Sequence, residues 1–116
     1  MSDENIGFVA TSPEESVQLA IVVMYGLCQS VRHGVVSPGY AVDKLFRPSL
    51  VKALARCGAD PALIDLVEHA LEVDGVADLA PDRLGPLLEE LEAGLLAALR
   101  RTRPQEGGAS WLRSAK

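Results

Sequence analysis

The chain has 116 residues, 48% of them hydrophobic, and a formal net charge of -5. That length suits one domain, which can bury roughly two-thirds of the surface its unfolded form exposes and needs no staple to fold. A pI near 4.9 with only five aromatic residues argues against nucleic-acid binding, which needs a clustered positive field or exposed stacking rings. Leucine and alanine far outnumber valine and isoleucine, an inventory of helices rather than sheets. The expected fold is all-α, a compact single domain of about five helices.

Proline, glycine and small polar residues mark where those helices begin and end. Residues 1–11 read as a flexible N-terminus. Ser12-Pro13-Glu14-Glu15 supplies an N-cap hydroxyl, a proline at the first helical position and a glutamate placed for a capping box. The first helix runs from there to about His33, where Gly34 can take the left-handed position that ends helices. Ser37-Pro38 repeats the signal and opens a second helix over about 38–46. Pro48 stops it, because proline has no N–H to donate and turns Arg47 away from helical geometry.

A third helix takes about 49–57 and ends at Gly58. Asp60-Pro61 caps a fourth over 61–73, with Gly75 beyond its end and Val76 to Pro81 as a connector. The last helix, about 83–102, is expected to be capped by Asp82. Pro86 is tolerated in its first turn, where the N–H groups have no intrahelical partner. The helical domain thus spans 12–103. Residues 104–116, with Pro104, Gly107 and Gly108, have linker composition and read as a disordered tail. Trp111 is the exception, a side chain expected to dock on its own domain or a partner if it is not left in water.

The run Leu19 to Cys28 makes the first helix apolar around nearly its whole circumference, so it is expected to be a central rod or to be completed by a second chain. Gly26 would admit a close backbone there. In the last helix Leu84, Leu88, Leu91, Leu95 and Ala98 recur at spacings of four and three, the period of helices packed lengthwise. The first helix is its expected partner, with Gly94 and Ala97 shortening a crossing distance.

The apolar run is too short for the ~18–20 residues that cross a bilayer, and the acidic start Asp3-Glu4 is unlike the basic beginning of a signal peptide. The expectation is a cytoplasmic protein with no membrane contact and two reduced thiols. His69 with Asp65, Glu68 and Glu72 has helical metal-ligand spacing, but one helix supplies too few ligands and His33 lies elsewhere. Cys28 sits in the most apolar stretch, where a thiolate is disfavoured. No glycine-rich phosphate cradle or Gly-x-Ser-x-Gly turn occurs. No catalytic residue, cofactor or metal site is expected.

Charge is organised in blocks. Residues 1–31 carry -4, 32–56 carry +4, 60–92 carry -9 and 100–116 carry +4. The acidic block spans the fourth helix and the front of the last; side by side, these would form one negative surface able to steer a basic partner. Asp65, Glu68, Glu72, Glu89 and Glu90 are the candidate partner-binding residues. A helix-turn-helix built on Arg47, Lys52 and Arg56 is disfavoured, because Pro48 leaves almost no turn and the next helix is acidic.

The segments Tyr25-Gly26-Leu27, Val31-x-His33-Gly34-Val35-Val36-Ser37, Leu45-Phe46 with Pro48, and Leu63-Ile64-Asp65-Leu66, followed by a leucine-rich last helix, resemble a bacterial domain-of-unknown-function family of small all-α proteins. The resemblance covers about residues 17–100. It implies the helical fold and a role of the immunity or partner-protein kind, and it transfers no site residue. The leading expectation is a non-enzymatic protein–protein interaction module, immunity-like, presenting an acidic helical surface to a basic partner. The alternative is a structural or regulatory homodimer.

Overall fold

The computed structural model describes residues 4–114. Strand β1 (Ile6–Phe8) precedes helices α1 (Pro13–Arg32), α2 (Pro38–Lys44), α3 (Pro48–Arg56), α4 (Pro61–Ala70) and α5 (Val73–Leu79). A single 3-10 turn, Pro81–Arg83, then leads into α6 (Leu84–Thr102), and strand β2 (Leu112–Ser114) follows.

Three of the four caps expected from sequence form. The Ser12, Ser37 and Asp60 side chains accept hydrogen bonds from the N–H groups of Glu15, Tyr40 and Ala62 at 3.1, 3.0 and 2.9 Å. Glu15 itself accepts from the Thr11 hydroxyl at 3.1 Å. Gly34 and Gly58 take φ of +73° and +79° just past α1 and α3, the left-handed conformation that costs glycine least.

Helices α1 and α6 form the main seam, as their apolar periods require. Val17, Ile21, Met24, Cys28 and Val31 of α1 are buried together with Leu88, Leu91, Leu95 and Ala98 of α6. Polar contacts fix the direction. Gln18 near the start of α1 donates to the Thr102 carbonyl at 3.3 Å, while Gln29 and Arg32 near its end reach Glu92. The two helices therefore run antiparallel. Helix α4 lies along α6 in the same sense as α1, because Asp60 pairs with Arg101 at 3.1 Å and Leu66 meets Gly94.

Three sequence expectations are corrected. The connector Val76–Pro81 is largely helical, because Val73 is fully buried and Val76 and Ala77 half-buried, and this burial outweighs the helix-weakening Gly75. Asp82 does not cap the last helix; it lies inside the 3-10 turn, and α6 starts without a side-chain cap. Of the two alternatives for α1, the enclosed central rod is not met. The molecule measures 42 × 41 × 23 Å, and its thin dimension admits two layers of helices each about 10–12 Å across. Every helix keeps a flank in water, and on α1 that flank is Val22, Val23 and Gly26.

Composition reads residues 1–11 as flexible and 104–116 as a disordered tail; residues 1–3, 115 and 116 lie outside the described residues, and the described parts of the two ends meet. β1 and β2 pair antiparallel with Phe8 opposite Leu112, and the Val9 N–H donates to the Trp111 carbonyl at 2.8 Å. Trp111 is half-buried and, with Gln18, Val22 and Leu99, lines a cleft at one end of the α1–α6 pair. Phe8, Ile6 and Leu112 share the opposite, exposed face of the ribbon, because side chains alternate along a strand.

The glycines separate by their surroundings. A Cβ at Gly94 would lie 2.6 Å from a Leu66 methyl carbon, whereas at Gly26 and Gly75 it would meet open space. The close approach is therefore at Gly94, against α4, and Gly26 serves none. Gly26→Ala and Gly75→Ala should each stabilise the fold by about 0.5–1 kcal/mol in urea unfolding. Gly94→Val should lower stability by about 1–3 kcal/mol, relieved when combined with Leu66→Ala.

Candidate functional site

The α4–α6 side carries the acidic block. All five candidate residues are exposed, and the structure divides them. Glu72, in the turn after α4, and Glu90 on α6 line one open groove of about 770 Å³. Asp65 and Glu68 lie on α4 outside its lining, and Glu89 turns away to pair with Arg32 at 3.5 Å. Its apolar lining is the half-buried Leu71, Val76 and Leu87 with the exposed Leu79 and Pro86, and Asp82, Arg83 and His69 complete the rim. Val76 and Leu79 were missed in the sequence because they fall in a segment read as a connector. Their alternation with acids in Val76–Asp82 was the available signal.

Few of the acids pair with a cation among the described residues. Of the ten between residues 60 and 92, only Asp60, Glu89 and Glu92 have a cation within ion-pair reach among the described residues. Of the other seven, Asp65, Glu68, Glu72, Asp78, Asp82 and Glu90 are exposed and Asp74 is half-buried near Gly39, and none has a cationic partner among the described residues.

Glu92 is the departure from that pattern. It is 6% exposed, wedged in the α1–α6 seam, where its Oε1 accepts from Gln29 at 2.8 Å and pairs with the Arg32 guanidinium. Its Oε2 is buried without a hydrogen-bond partner among the described residues. The sequence placed Glu92 in the solvated acidic block because nothing local marks a buried carboxylate.

The adjacent Cys28 thiol is pushed up to about 12, first by burial and second by the negative charge of Glu92. It stays protonated at neutral pH and so is no nucleophile. Cys28 and Cys57 are both free, the second half-buried. Thiol labelling of the native protein should modify Cys57 first and reach Cys28 only as the chain unfolds. The folded state holds the Cys28 proton more tightly than the unfolded state. Its contribution is therefore complete below the unfolded value near 9 and is lost as pH rises toward about 12. In urea unfolding, Cys28→Ala should lose less stability than the parent chain between about pH 8 and about pH 10.5.

No three His, Cys, Asp or Glu side chains among the described residues are grouped to hold a metal ion. Nor is any described helix long and apolar enough to cross a membrane.

Residues 11–113 match a family model described as a protein of unknown function, DUF3969. The chain belongs to the DUF3969 family. The DUF3969 match takes in all six helices and most of β2, a wider span than the 17–100 of the sequence resemblance, and leaves β1 outside. No curated protein and no solved structure matches the chain.

Proposed function

We propose that this chain is a non-enzymatic protein-interaction module, of the kind represented by immunity proteins, which offers its α4–α6 side to a basic protein partner and masks it. The observation that carries this reading is the set of seven acids between residues 60 and 92 that have no cationic partner among the described residues. Like charges gathered on adjacent helices repel one another, and an opposite charge brought by a partner relieves that repulsion. Such a field mainly raises the association rate and makes it salt-dependent.

The test is quantitative binding. Proteins captured at low salt are purified and titrated against the parent chain and a variant with Asp65, Glu68, Glu72, Glu89 and Glu90 all changed to Gln. A loss of about tenfold or more, mostly in association rate and with a flatter salt dependence, is expected. Unchanged affinity and unchanged salt dependence would overturn the reading.

A second reading rests on the outer flank of α1. Val22 and Val23 are each 45% exposed beside the open Gly26, an apolar strip that a second copy could cover in a structural or regulatory homodimer. Sedimentation at tens of micromolar decides it: a mass near 12.3 kDa sinks the dimer.

A further inference from the structure

We infer that the groove between α5, the Pro81–Arg83 turn and α6 is the seat for a basic amphipathic segment of the protein partner, one bulky apolar side chain entering it and lysine or arginine meeting its rim. This rests on the interaction reading above and adds the place and the chemistry of the contact.

The first support is Leu79. At 88% exposed it is the most solvent-bared large apolar side chain among the described residues, and it lines the same groove as the half-buried Leu71, Val76 and Leu87. Covering one leucine of this kind contributes about 1.5–3 kcal/mol, so the groove has an apolar anchor point already built. The second is charge. Glu72, Asp82 and Glu90 stand on the rim against Arg83 as its one permanent cation, and none of the three acids has an ion-pair partner among the described residues.

The same groove is poorly suited to a small polar ligand. Sites of that class hold their ligands by a few buried, directed polar groups. The one buried side-chain oxygen lacking a partner among the described residues, Glu92 Oε2, belongs to a residue outside the groove lining. What remains is an apolar trough with charges at its edge, the arrangement that accepts the apolar face of a partner helix. Gly75 lies in the lining, and the space a Cβ would fill there is empty, so an incoming chain can approach the α5 backbone closely.

The experiment is selection of a random twelve-residue phage-displayed peptide library on the full chain at low salt, with an unrelated acidic protein as counter-selection. Peptides combining a bulky apolar residue with lysine or arginine should be enriched. As synthetic peptides they should bind about tenfold more weakly to Leu79→Glu, and about threefold more weakly to Glu72→Gln/Glu90→Gln with a flatter salt dependence. Asp65→Gln/Glu68→Gln should leave affinity within about twofold.

Circular dichroism checks each variant, and Leu79→Ser replaces Leu79→Glu if the charge disturbs the fold. Purely cationic peptides that ignore both Leu79 variants yet weaken with Asp65→Gln/Glu68→Gln would overturn the groove and leave the acidic-surface reading standing. Enrichment of acidic or uncharged peptides, or none beyond the counter-selection protein, would overturn both.

Discussion

Arg32→Met will destabilise the protein by about 3 kcal/mol, because it leaves the Glu92 carboxylate charged and nearly out of water. In the parent structure that carboxylate already has one oxygen without a hydrogen-bond partner among the described residues, and the other is shared by Gln29 and Arg32. Removing the guanidinium leaves Gln29 alone, and a neutral amide cannot offset a buried charge. Against a total stability of about 5–15 kcal/mol, such a loss should lower the thermal midpoint by roughly 10 °C or more.

The double variant Arg32→Met/Glu92→Met should recover to within about 1 kcal/mol of the parent, since an apolar pair of similar volume carries no desolvation penalty. Urea unfolding of the three variants forms the cycle. A single variant as stable as the parent would show that Glu92 is solvated in the native state.

Phe46→Ala will lower stability by about 3–5 kcal/mol, the range for emptying a fully buried aromatic site. Phe46 is 1% exposed, and it is the one aromatic ring wholly inside the core among the described residues. It sits in the three-residue link between α2 and α3, where its own N–H donates to the Ala41 carbonyl at 2.9 Å. The ring therefore holds two short helices that have too few turns to be stable alone. Phe46→Leu, which keeps most of the volume, should cost about 1 kcal/mol. The expected record in urea is a lower midpoint with an unchanged slope; a midpoint within experimental error of the parent would refute the central role of this ring.

Local chemistry was what the sequence made legible. Ser12, Ser37 and Asp60, each followed by proline, accept the N–H groups their positions predict, because a cap and its donors lie within four residues. The four-three spacing of Leu84, Leu88, Leu91, Leu95 and Ala98 likewise identified α1 as the partner of α6. Features set by distant residues were not readable. Glu92 lies beside the seam leucines and is buried only because Gln29 and Arg32 arrive from α1. Helix α5 forms through the burial of Val73 despite Gly75. Of the five acids singled out, two line the groove, and what separates them from Asp65 and Glu68 is the course of α5.

The terminal ribbon is, by sequence separation, the most distant pairing in the molecule, with Ile6 opposite Ser114. Closing so long a loop in an unfolded chain carries a large entropic penalty, and two three-residue strands are far too short to offset it. The antiparallel run of α1 and α6 changes the effective distance. Once Gln18 stands beside Thr102, only the short stretches leading out of the two helices remain to be ordered. The ribbon is then a local hairpin grown on a finished helix pair. It should form after the helices and, in hydrogen exchange, open at lower free energy than the seam beneath it.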